Sequence, residues 1–235
     1  MIRSILRGLA VCGVALAGIA MFSGRGASSA AVVLPAANVG GELASTAGEE
    51  VAIFSGGCFW GVQAVFQHMK GVTSAVSGYT GGKAKNPSYE QVSTGTTGHA
   101  ESVRVTFDPS QVSYADLLRV FFSVATDPTE LNYQGPDHGT QYRSVLWYSS
   151  EAQKSTAKAY IEQLEKAKTY TNKIVTEVKP AQEFYNAEGY HQDYATLHPD
   201  NGYIAINDAP KVVNLKKLFP ALYRDQPVLV GSAQP

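Results

Sequence analysis

The chain has 235 residues, 44% of them hydrophobic and 17% charged, with a formal net charge of -1. That is the composition of a globular protein with enough length for one substantial core. The near-neutral balance argues against a nucleic-acid partner, which requires a basic surface.

At the N-terminus, Arg3 and Arg7 precede an apolar run from Leu9 to Phe22 and a small-residue stretch, "GRGASSAA". A positive start followed by an apolar run shorter than the roughly 20 residues of a membrane span reads as a signal peptide over 1–30. Ser28 and Ala30 sit where a cleavage site needs small side chains; an uncleaved membrane anchor is the alternative. The expected location is therefore outside the cytoplasm, periplasmic or secreted, with no stable membrane partner. Residues 31–49 read as a flexible leader, 50–210 as the folded domain and 211–235 as a C-terminal tail. Cys12 falls within the signal, so the mature domain carries one thiol, Cys58. An odd cysteine in an exported protein is either buried and inert or kept for chemistry.

The run "EVAIFS" predicts a buried strand that ends at Gly56-Gly57. Phe59, Val62, Phe66 and Met69 then recur at helical spacing up to Gly71, which places Cys58 in the first turn of a helix. Unpaired amides and the positive end of the helix dipole favour a thiolate there. "GVTSAVSGY" predicts a strand leading into the loop "TGGKAKNPS". In "AESVRVTFD" the alternation is clean, so Glu101 shares a face with Val103, Val105 and Phe107. A carboxyl facing a core stays protonated and is able to donate its proton; an exposed Glu101 at a frayed strand end is the other reading. Ser113 opens a helix through "YADLLRVFFSVAT", and "SVLWYS" is a strand. Ser150 with Gln153 makes a capping box for the helix "EAQKSTAKAYIEQLEKAKTY". "KIVTEVKP" is a further strand, and a short helix falls in "GYHQDYATL". Strands alternating with helices give an α+β, mixed α/β chain, close to a ferredoxin-like split βαβ two-layer sandwich with long loops.

Cysteine chemistry divides into acyl transfer, which needs a histidine base, and redox chemistry, which needs a proton source for the departing oxygen. Five histidines leave the first open, and no C-x-x-C pair supports ordinary disulfide exchange. No His/Cys cluster has ligand spacing, so no metal is expected.

"GCFWG" at 57–61, "GYTGG" at 78–82, "NPSYEQV" at 86–92, "TGHAESV" at 97–103 and "DHGTQYRS" at 137–144 together resemble the peptide methionine sulfoxide reductase A family, over roughly residues 50 to 205. The resemblance implies the same split βαβ fold and reduction of the S epimer of free or protein-bound methionine sulfoxide. It implies Cys58 as nucleophile, Glu101 as acid, and Tyr89 and Tyr142 as phenols that hydrogen-bond the sulfoxide oxygen. Phe59 and Trp60 correspond to the pocket for the substrate's S-methyl group, and Asp137 to a supporting polar residue at the site's edge. His99, His138 and His191 are expected to fix loops. No cofactor enters the chemical step. Many relatives carry further cysteines near the C-terminus; this tail has none. An external thiol, thioredoxin-like or small, is then expected to reduce the Cys58 sulfenic acid.

Overall fold

The expected buried run forms β1 (Glu50–Ser55), buried from Ala52 onward. In the computed structural model, which describes residues 31–232, β1 lies near the centre of a six-stranded mixed sheet. The expected signal peptide, 1–30, lies outside the described residues. β1 pairs antiparallel with β3 (Ala100–Phe107) on one side and β6 (Val145–Tyr148) on the other. β2 (Val72–Thr80) pairs antiparallel with the far edge of β3. α1 (Phe59–Gln67) carries the chain from β1 to β2, and α3 (Tyr114–Val120) follows β3 on the way to β6. The inner order β6-β1-β3-β2, with two helical crossovers, is the expected split βαβ arrangement. β7 (Glu177–Pro180) extends it in parallel beside β6, and β8 (Tyr185–Asn186) extends it antiparallel beside β2.

Strand alternation divides the core into two. Ala52, Phe54, Val103, Val105, Phe107 and Leu146 face the helices in one large buried cluster. Its centre is aromatic: the Phe54 ring lies 4.7 Å from Phe66 and 5.1 Å from Phe121. Ile53, Ala100, Val145 and Trp147 form a smaller cluster on the other face. There the polar groups are paired, as burial demands: Trp147 Nε1 donates to Ser55 Oγ at 2.8 Å, and Ser55 and Ser102 share a hydrogen bond of 2.6 Å.

The helices end as their sequences direct, with two differences. Ser113 caps α3, and Asp116 closes the box by accepting from the Ser113 amide. The regular helix stops at Val120, and Phe121–Ala125 continues as one π-helical turn. Ser150 caps α4 (Glu151–Lys166), but the returning Gln153 side chain accepts from the Ser149 amide, one residue earlier than a capping box requires. The loops add α2 (Tyr89–Ser93), a small ribbon of β4 (Tyr133–Gln134) with β5 (Asp137–His138), and α5 (Tyr194–Leu197).

Two boundaries need correction. The expected flexible leader is laid across α3 and α4. Leu34 is fully buried, its amide donates to Ser123 Oγ, and its carbonyl accepts from Arg119 Nε at 2.7 Å. Tyr160 and Gln163 then bond the backbone of residues 35, 36 and 38. A segment without regular structure is held because side chains of the helices satisfy its polar backbone groups while Leu34 fills the core. The expected tail also belongs to the body. α6 (Ala209–Leu218) buries Leu215 against the core, Lys70 N donates to Leu222 O at 2.7 Å, and Arg224 bonds the Val72 carbonyl. Leu34→Ala is expected to lower the urea-unfolding free energy by about 2–5 kcal/mol; a loss below about 0.5 kcal/mol would mean that the leader contributes nothing to the core.

Candidate active site

The turn out of β1 is made by two glycines that have no room for a side chain. A Cβ on Gly56 would lie 2.7 Å from the Phe121 ring, and one on Gly57, at φ +96°, would lie 2.6 Å from Gln134 Cβ. The next residue, Cys58, is the N-cap of α1, one position before the expected first turn. The residue is largely covered, at 9% exposure. The Trp60 amide donates to the sulfur and the Lys211 charge also favours ionisation, yet burial, reinforced by the Glu101 and Asp208 charges, holds the thiol pKa well above its ordinary value. The expected resting thiolate is therefore corrected to a neutral thiol: lost hydration and nearby carboxylates outweigh what a helix terminus contributes.

Glu101 reaches the same helix end from β3. It lies on the strand face with Val103, Val105 and Phe107, at 3% exposure, as the alternation predicts. The Phe59 amide, first in the helix, donates to Glu101 Oε2 at 3.0 Å. Burial pushes this carboxyl up to about 8; the Phe59 hydrogen bond opposes the rise, and the Asp137 and Asp208 charges add to it. Glu101 is thus a neutral acid near pH 7.

The two phenols come from loops that are bonded to each other. Tyr89 opens α2 behind the Ser88 cap, and its amide donates to Glu188 Oε1 at 2.8 Å. Tyr142 ends a 3-10 turn; Thr140 and Gln141 of that turn donate to the carbonyls of Gly95 and Ser93, next to α2. Burial lifts both phenols above their ordinary pKa, and both feel the Glu101, Cys58 and Asp137 charges. The structure therefore brings Cys58, Glu101, Tyr89, Tyr142 and Asp137 to one place. Asp137, on β5, accepts a hydrogen bond from the Tyr203 hydroxyl.

The aromatic pair separates. Trp60 is half-buried, stacked on Tyr194 with centroids 4.0 Å apart, and its Nε1 donates to His191 Nδ1 at 3.2 Å. Phe59 is 1% exposed and packs among Tyr79 and the edge of His191, so its ring stands behind the wall that Trp60 presents.

His191 was expected to fix a loop, and its position is more central than that. It is buried between Trp60 and Tyr89, 4.4 Å from the latter ring. Burial lowers its pKa, with the Glu188 and Glu90 charges opposing, so it stays neutral and receives the Trp60 N–H. Glu188 joins two elements by accepting from Tyr79 Oη and the Tyr89 amide. Glu188, Tyr194, Tyr203 and Asp208 were missed. Their one sequence signal is the density of Tyr, His and Asp between 188 and 208, which carries no period. His99 does fix a loop, receiving the Gly82 amide at Nδ1 and bonding the Ala84 carbonyl. His138 is exposed, stacked on Tyr133. Among the described residues no group of three or more His, Cys, Asp or Glu is placed to hold a metal ion.

A thiol faced by a neutral carboxyl and two phenols is equipped to attack an electrophile while three hydrogen donors meet its oxygen. Residues 50–222 match the family model described as peptide methionine sulfoxide reductase. The peptide methionine sulfoxide reductase MsrA 2 of Mesorhizobium japonicum is 61% identical over 186 residues, covering 79% of this chain and 95% of the relative. The MsrA of Deinococcus radiodurans is 50% identical over 74% of this chain and 84% of its own. Among solved structures, reduced Mxr1 from Saccharomyces cerevisiae superposes with a TM-score of 0.60 at 31% identity, covering 69% of this chain and 95% of that one. Matched across its whole sheet and along nearly the full length of such relatives, the chain belongs to the peptide methionine sulfoxide reductase family.

Proposed function

We propose that this methionine sulfoxide reductase acts on the S epimer of free or protein-bound methionine sulfoxide through a Cys58 sulfenic acid, which an external thiol then reduces. The observation that carries the mechanism is the Phe59–Glu101 hydrogen bond, which fixes a protonatable carboxyl at the helix end that Cys58 caps. A sulfoxide oxygen leaves badly as an oxide and must be protonated as sulfur accepts the nucleophile. Tyr89 and Tyr142 hold that oxygen, Glu101 delivers the proton, and the Cys58 sulfur bonds to the substrate sulfur. Release of methionine leaves Cys58–SOH. Trp60, braced by Tyr194 and His191, offers an aromatic face to the S-methyl group. Phe59 supports that wall from inside the core.

Separate S- and R-sulfoxides incubated with dithiothreitol are expected to yield methionine from the S epimer alone, and Cys58→Ser to yield none. After one turnover without reductant, intact mass should rise by one oxygen with no loss of hydrogens. Consumption of neither epimer, or an internal disulfide, would discard the reading.

The pH response follows from Glu101. Below pH 8 the acid holds its proton, so the rate of sulfoxide reduction is expected to fall as pH rises through about 8, approaching tenfold per pH unit. Stability moves with the same proton. The folded pKa lies above the ordinary value of about 4.3. Its contribution is therefore complete below about pH 4 and is lost as pH rises towards 8. Glu101→Gln should abolish reduction yet unfold at higher temperature than the parent, with a gap that widens from pH 5 to pH 8. A gap independent of pH would mean that the carboxyl is solvated.

The reductant is proposed to be a thioredoxin-like protein or a small thiol, since Cys58 is the one cysteine outside the N-terminal segment. Export, periplasmic or secreted, is proposed from that segment. N-terminal sequencing of chain recovered from an exporting host should begin at Ala31; retention of Met1 in the membrane fraction would favour the anchor.

A further inference from the structure

Two protons move when a neutral thiol attacks a sulfoxide: one must reach the oxygen, and one must leave the sulfur. Glu101 supplies the first and, still protonated at that moment, has no capacity for the second. Asp137 holds the Tyr203 hydroxyl, and the phenols of Tyr89 and Tyr142 are donors. The remaining carboxylate beside the thiol is Asp208.

Asp208 is 0% exposed and stands at the N-cap of α6, yet its side chain makes no capping hydrogen bond there. A buried aspartate at that position ordinarily closes its own helix. This one turns to α1 instead. Oδ1 pairs with Lys211 Nζ at 3.2 Å, and Oδ2, although buried, accepts no hydrogen bond among the described residues. The carboxylate occupies the space in front of Gly61, where an added Cβ would overlap Oδ1. Gly61 lies three residues after Cys58, so the two positions are neighbours on one face of the helix. Asp208 thus stands where a side chain three residues into α1 would stand, beside the cap that bears the thiol, and its charge acts on Cys58, Glu101 and Tyr203.

We propose that Asp208, paired with Lys211, receives the Cys58 thiol proton as the sulfur attacks the sulfoxide. The inference rests on Cys58 being the nucleophile. The Cys58 S–H bond breaks towards Oδ2, a bond forms between the two sulfurs, and the sulfoxide oxygen takes the Glu101 proton. Collapse gives Cys58–SOH and the thioether, so the substrate sulfur gains the two electrons that the cysteine sulfur loses. The proton gained by Asp208 equals the one given by Glu101, and one transfer through solvent resets both. Burial raises the Asp208 pKa while Lys211 opposes the rise, which suits a group that must take a proton and give it back.

The full chain, carrying Asp208→Asn or Lys211→Met, is mixed with excess methionine S-sulfoxide without reductant, and first-turnover methionine is followed by rapid quench from pH 6 to 9. Asp208→Asn is expected to be at least about tenfold slower than the parent at pH 7, a loss equivalent to about 1.4 kcal/mol. The deficit should shrink as rising pH ionises the thiol unaided. Iodoacetamide should meanwhile alkylate Cys58 faster at pH 7, because a neighbouring negative charge is gone. A folded Asp208→Asn chain with the parental first-turnover rate, or with a deficit of equal size at every pH, overturns the inference. Should that variant fail to fold, Lys211→Met carries the test with the same two outcomes, since Asp208 without its cation binds a proton more readily and is less free to take the one from the thiol. A parent chain that makes no methionine in the first turnover would instead remove Cys58 as nucleophile.

Discussion

The hydrogen bond from the Phe59 amide to Glu101 joins the two halves of this protein's chemistry. The donor is a backbone group that a helix end leaves unpaired; the acceptor is a carboxyl that strand alternation turns into the core. Neither is unusual alone. Together they bring a buried carboxyl and a thiol to one helix terminus without a flexible loop between them. Everything else at the site is arranged around that fixed pair: phenols from two loops bonded to each other, and an aromatic wall held by a buried, neutral histidine.

That wall depends on the segment after β8, which has almost no regular structure. Buried amides hold it in place. Gln192 receives the Ser77 and Gln63 donors and gives hydrogen bonds to the carbonyls of Ser77 and Ala187. Asp193, at positive φ, receives Gln67 Nε2 while its own amide donates to Gln63 Oε1. These bonds fix the backbone on either side of His191 and Tyr194, so the rings that brace Trp60 inherit the rigidity of α1 and β2. Buried hydrogen-bond networks of this kind hold the backbone in one geometry at the expense of alternatives.

Much of this was legible from the chain alone, where the signal was local. The alternation of "AESVRVTF" put Glu101 inward, and the two glycines before Cys58 announced a turn too tight for side chains. Ser113 and Ser150 marked helix starts. What escaped was set by residues distant in sequence. Leu34 sits in an Ala-, Val- and Pro-rich stretch with no period, and its anchoring depends on Arg119, Ser123 and the polar side chains of α4. The protonation state of Cys58 escaped for the same reason: the helix terminus can be read from adjacent residues, whereas the burial that raises the thiol pKa, and the Asp208 charge that adds to it, come from other elements. Phe59 and Trp60, adjacent in the motif, part company because successive helical positions point about 100° apart, which buries the first ring in the core and leaves the second half-buried.

The covered sulfur has a consequence for survival among oxidants. Peroxides and stray disulfides react with thiolates, and do so slowly with neutral thiols that solvent barely touches. A protein whose one functional cysteine were permanently armed would be consumed by the very oxidants whose damage it reverses. A thiol that keeps both its proton and its cover is a poor target for that injury.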